Sequence, residues 1–295
     1  MLKNIINHII YKVQWLFMSD DYYLNVLHDE NNFKLIRKLS VDEYDKFNKA
    51  SVFMQKLNVK LYFFRMVDYS YIELKNFEKA YNDNINYYPL SVNINEIIFN
   101  FFKLLNDYLS SVTLFLNQYE VNVKRDYEKK LVDEFNELRN NLHYEHLSYR
   151  IIYELQNEVR HSKIPDFTIK ATRSGFLKPL EAKFYIKKDY LNIRKLKNDA
   201  EFQESDDLID IYKHMENMNS YLLELAGKIL KYELDLHLDY YEFLKSLINE
   251  VDIEGEVCVM KYNEFSEVKI QPSITFIDKR FIELIDKIKM YKDVL

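Results

Sequence analysis

Apolar residues recur at helical spacing along most of this chain. Ile97, Phe101, Leu104, Leu105, Tyr108, Leu109, Val112 and Leu116 keep the three- and four-residue step of an amphipathic helix for about five turns. Ile211, Met215, Met218, Leu222, Leu225, Ile229, Tyr232 and Leu236 alternate steps of four and three. That heptad register suits an antiparallel pair inside one chain or a seam between two chains. Leu147, Ile151, Leu155 and Val159 stripe a third predicted helix, which the polar run from His161 to Lys163 and then Pro165 bring to an end. Ser40, Val41, Asp42 and Glu43 have the form of a capping box. Residues 1 to about 80 read as helices, with 59–66 open between a strand and a buried helix. Asn82 to Asn86, followed by Pro89, reads as a linker. After Pro165 the period changes. Residues 167–172 and 176–186 read as two strands joined through Arg173, Ser174 and Gly175, with Pro179 placing part of the hairpin at a sheet edge. Residues 257–262 and 268–276 are two further strand candidates, and a closing helix begins near Lys279.

Composition agrees with long helices. Among 295 residues there are only 3 Gly and 4 Pro, so tight turns are few. The formal charge of −6 argues against a surface that coats nucleic acid throughout and leaves room for a local basic patch. One cysteine, Cys258, excludes an internal disulfide and any multi-cysteine metal site, and suits a reducing cytoplasm. Residues 1–18 place Ile5, Ile9, Val13 and Leu16 at helical spacing, but Asn4, Asn7, His8, Lys12 and Gln14 interrupt the run. This is neither a signal peptide nor a bilayer span, so a cytoplasmic protein without membrane contact is expected.

The candidate chemistry lies on the helix before Pro165. Arg150, Glu154, Asn157 and His161 fall at i, i+4, i+7 and i+11, one narrow stripe beside the apolar one. Such an edge can hold a phosphate and move a proton. The plain alternative pairs Arg150 with Glu154 across one turn and leaves His161 at the helix terminus.

The stretch from Asn93 to Asp166, about a quarter of the chain, resembles a group of bacterial proteins mostly from low-GC Gram-positive organisms. Their pattern begins with Asn-x-x-Leu-Ser-Ser, present as Asn106 to Ser111, with Leu116 and Glu120 following. It continues as Tyr-Arg-x-x-Tyr-x-Leu-Arg-Asn-x-x-x-His-x-x-x-Pro, matched by Tyr149 to His161 and Pro165. Phe184 to Leu191 is similar to a later segment of the group. The Arg-Asn-x-x-x-His element resembles the signature of HEPN domains. The resemblance implies an all-helical, usually dimeric module of toxin and abortive-infection systems. In active members, Arg and His from two protomers cleave RNA without a metal or other cofactor. A 2′-hydroxyl attacks phosphorus, His moves a proton and Arg stabilises the added charge. This chain has Gln156 where that Arg is expected. Gln donates hydrogen bonds but carries no charge. Two cations can stand in. Arg150 shares the stripe of His161, whereas Arg160 points about 100° away from it, which favours Arg150.

The resulting expectation is a mainly α chain of α+β class, in three regions. Residues 1–88 are helical, 89–166 form a HEPN-like bundle, and 167–295 carry a small C-terminal sheet and the long heptad helix. Arg150, Asn157 and His161 are the expected catalytic groups, with Gln156, Arg160 and Lys163 contacting RNA. Expected partners are RNA, a second copy of the chain and a companion defence protein. A non-catalytic oligomerising or regulatory subunit is the alternative. Other constellations are weaker. Arg139 and His143 repeat the Arg-x-x-x-His spacing at a predicted helix end or loop, and His143 with His146 lacks a third metal ligand. Glu181 and Lys183 match the Glu-x-Lys of restriction-type nucleases without the preceding acid at strand spacing. Glu204, Asp206, Asp207 and Asp210 suit the N-terminal turn of the heptad helix.

Overall fold

The computed structural model describes residues 21–29, 32–87, 93–160, 165–173, 179–191, 196–251, 254–262 and 273–290. In chain order these form β1 (Asp21–Asp29), β2 (Asn32–Leu39), α1 (Val41–Tyr87), α2 (Ile94–Asp126), α3 (Lys129–Glu145) and α4 (Leu147–Arg160). There follow β3 (Phe167–Arg173), β4 (Leu180–Lys187), α5 (Lys188–Leu191), a 3-10 turn (Leu196–Asn198), α6 (Ala200–Glu204) and β5 (Leu208–Asp210). The chain closes with α7 (Ile211–Asn249), β6 (Glu256–Tyr262), β7 (Ser273–Phe276) and α8 (Lys279–Met290). The amphipathic segment at residues 1–18 lies outside the described residues. No helix among the described residues is long and apolar enough to cross a membrane.

Two compact units emerge. Among the described residues, the first takes in those within 21–59 and 230–290. Its antiparallel sheet has the order β2-β1-β6-β7. Here the expectation of helices from the N-terminus to residue 80 is corrected, because β1 and β2 are strands. Their alternation is weak, since both faces of β1 are covered: Tyr23, Leu24, Asn25 and Val26 are all buried. Their stability comes from β6, where Leu24 pairs with Val259 and Val26 with Val257, far along the chain. The expected small C-terminal sheet is thus two sheets, one of them completed by the N-terminal hairpin. Gly255 leads into β6 at φ +150°, and a Cβ there would meet the Leu27 carbonyl oxygen at 2.5 Å. Only glycine permits that approach. The capping box forms as written, with Glu43 N donating to Ser40 Oγ at 3.2 Å and Ser40 N donating to Glu43 Oε2 at 2.8 Å.

The second unit runs from Lys60 to Ile229, and the expected boundaries at 88 and 166 both fall inside it. Residues 59–66 are helical, as part of α1. The heptad residues from Ile211 to Ile229 are buried, so that seam is filled within the chain. The register fails beyond it: Tyr232 and Leu236 are 38% and 61% exposed, and α7 kinks at His237. The hairpin after Pro165 forms as β3 and β4 and packs on the helices. Phe184 stacks on Phe101 at 4.3 Å between ring centroids, and Phe167 meets Phe101 edge-on at 5.1 Å.

Asn82 to Asn86 is not a linker but the end of α1. Ala182 N donates to Asn82 Oδ1 at 2.7 Å and Leu180 N to Asn86 Oδ1 at 2.7 Å, while Asn86 Nδ2 donates to the Leu180 carbonyl at 2.9 Å. β5 pairs only with Tyr185, Ile186 and Lys187 of β4. The two side-chain amides therefore satisfy backbone groups that this short strand leaves over.

Candidate functional site at the end of helix α4

α4 starts after a one-residue break at His146, whose carbonyl accepts from Tyr149 N and Arg150 N. Ile151, Ile152 and Leu155 are fully buried, and Leu147 and Val159 flank them half-buried. The polar stripe is less open than its spacing implies. Glu154 is buried, Arg150 and Asn157 are half-buried, and Asn157 Nδ2 reaches Glu154 Oε2 at 3.4 Å.

Arg150 does not pair with Glu154 but with two acids of a later segment. Its Nε meets Asp199 Oδ2 at 2.5 Å and its Nη2 meets Glu201 at 2.9 Å. Its Nη1 donates to the Tyr144 carbonyl at 2.7 Å and to that of His143 at 3.3 Å. Asp199 Oδ1 meanwhile caps α6 by accepting from Phe202 N. Arg150 therefore fastens the corner between α3 and α4 to the segment before β5, and two carboxylates neutralise it.

Arg160 is placed differently. It is exposed, and no carboxylate pairs with it among the described residues. Gln156, one turn earlier, is only 6% exposed. The amide orientation that satisfies both of its ends turns the oxygen toward Arg160, which donates from Nε at 3.1 Å and Nη1 at 3.2 Å. The amide nitrogen then donates to Thr113 Oγ1 at 3.1 Å. Gln156 thus holds the Arg160 guanidinium in place. His161 and Lys163 lie outside the described residues.

The remaining candidates are structural in their surroundings. Arg139 and His143 are inside α3, not in a loop. Arg139 pairs with Glu120, and the His143 ring lies 5.5 Å from that of Tyr149. The His146 ring stacks on Tyr221 at 4.3 Å. No group of metal-ligating residues occurs among the described residues. Glu181 and Lys183 project from β4, where Lys183 reaches Asp210 only at 3.7 Å. Asp210 opens α7, its Oδ1 accepting from Lys213 N. Burial pushes the Cys258 thiol up to about 12, which makes it inert.

One polar node has no counterpart in the sequence reading. Ser148 Oγ lies 2.8 Å from His214 Nδ1 and accepts from Asn217 Nδ2 at 3.0 Å. Which of Ser148 Oγ and His214 Nδ1 donates depends on the His214 tautomer. Burial, with Lys213 nearby, holds His214 down at about 4. Nothing local links Ser148 on α4 with His214 on α7, so spacing gives no signal for this pair. Thr113 is hidden for the same reason.

Comparison with known proteins finds no matching family model, curated relative or solved structure.

Proposed function

We propose that this is a HEPN-like, RNA-directed protein of a bacterial defence or toxin system, acting without a metal. Its RNA contact lies at the C-terminal end of α4, where Arg160 meets a phosphate and His161 follows in sequence. The observation that carries this reading is Arg160, an exposed guanidinium with no carboxylate partner among the described residues. A fixed, unneutralised guanidinium is suited to a phosphate oxygen. The Asn-x-x-x-His spacing from Asn157 to His161 supplies the candidate proton-transfer group of the same reading. Self-association through the helical module belongs to it as well, since one copy offers few polar groups with which to grip and cleave a phosphodiester.

The test is purified protein with single-stranded RNA, with and without chelator. Binding is expected, with cleavage that chelator does not inhibit and that His161→Ala abolishes while binding persists. A protein that neither binds nor cleaves RNA overturns the reading. The second reading, a non-catalytic oligomerising or regulatory subunit, is favoured by Arg150, whose charge is fully engaged within the chain. It predicts a stable oligomer in which His161→Ala changes nothing.

A further inference from the structure

We propose that Gln156 is a positioning residue. It aims the Arg160 guanidinium without cancelling its charge, so that a neutral acceptor at position 156 replaces the arginine expected there. The inference rests on the reading that Arg160 meets RNA phosphate.

The geometry forms a relay from α2 to the surface. The Thr113 hydroxyl donates to the Leu109 carbonyl at 3.0 Å and accepts from the Gln156 amide nitrogen at 3.1 Å. The Gln156 oxygen accepts from both Nε and Nη1 of Arg160. Being 6% exposed, Gln156 acts in this proposal through Arg160. Two hydrogen bonds that converge on one oxygen restrict the guanidinium, which removes much of its side-chain freedom before any ligand arrives. Nη2 has no partner among the described residues, and its N–H groups, with the second of Nη1, are left to donate.

Residue chemistry at 156 is sharply restricted by this arrangement. Glu would hold Arg160 as well but neutralise it. Arg would repel it. Leu or Met would leave the charge and lose the aim. Arg37, Arg125, Arg139 and Arg150 each end on a carboxylate, whereas the anchor of Arg160 is neutral.

The test measures binding of a short fluorescein-labelled single-stranded RNA by anisotropy over a range of salt, in the full chain. Gln156→Glu is expected to weaken binding about tenfold and to lower the salt slope by about one, as Arg160→Ala does. Gln156→Met is expected to weaken binding severalfold with an unchanged salt slope, because the charge persists. The exchanged pair, Gln156→Arg with Arg160→Gln, should recover part of the affinity. A separate readout needs no RNA: the Arg160 Nε proton should be protected from exchange in the unaltered chain and lose that protection in Gln156→Met. If Gln156→Glu and Gln156→Met bind as the unaltered chain does while Arg160→Ala does not, the positioning role is overturned and the RNA reading stands. An unprotected Nε proton in the unaltered chain overturns it too. If Arg160→Ala binds normally, the RNA reading itself fails.

Discussion

Acidification should weaken the fold through one histidine before it touches the carboxylates. His214 shares a hydrogen bond with the Ser148 hydroxyl and sits where burial holds its pKa down at about 4. An unfolded histidine titrates near 6.5. The folded state therefore binds fewer protons between those values, and stability falls as pH falls. The contribution is fully present above about 6.5 and is lost on the way down to 4. At 1.36 kcal/mol per decade, the gap corresponds to about 3 kcal/mol. Glu43 behaves similarly in a lower window. Its hydrogen bonds with Arg37 and with Ser40 hold it down at about 2, so its contribution is present above the usual carboxylate value and is lost as pH falls from there to about 2. Urea unfolding at a series of pH values isolates the upper window. The unaltered chain should lose most of this free energy between pH 6.5 and 4.5, and His214→Gln should give a nearly flat profile there. A direct check is the NMR titration of the His214 ring in the unaltered chain. A midpoint near 6.5, or parallel pH profiles for the two proteins, would refute the reasoning.

Other consequences follow from single contacts. Arg150→Ala should lower stability by about 3 kcal/mol, because Asp199 is left partly buried without its partner, yet leave RNA affinity unchanged in the folded fraction; urea midpoints and anisotropy check the two halves. Gly255→Ala should lower stability by about 1–3 kcal/mol, since the added Cβ meets the Leu27 carbonyl and the backbone angle disfavours it, as thermal unfolding would show. Asn82→Ala should cost about 1 kcal/mol and accelerate hydrogen exchange at the Ala182 amide more than at amides of α2.

The parts of the fold legible in the sequence are those whose signal is local. α2, α4 and the buried half of α7 follow a helical period, and the capping box at Ser40 involves only neighbouring residues. The hairpin at β3 and β4 is also local. What stayed hidden depends on distant partners. β1 is a strand because β6 pairs with it, and no nearby residue announces that. Asn82 and Asn86 have the composition of a linker until the backbone of β4 lies beside them. Arg150 looks free along α4 because Asp199 and Glu201 arrive from another segment. The Gln156 and Arg160 pair is different. It lies within one turn, but nothing in the spacing shows that the Gln156 oxygen turns toward Arg160 rather than toward solvent.

The central claim is that the end of α4 meets RNA phosphate through Arg160. The most direct measurement is the salt dependence of RNA affinity for the unaltered chain and Arg160→Ala. The account predicts binding that weakens with salt, and an Arg160→Ala protein that is fully folded, binds about tenfold more weakly and has a slope smaller by about one. Equal affinity and equal slope for the two proteins would contradict it.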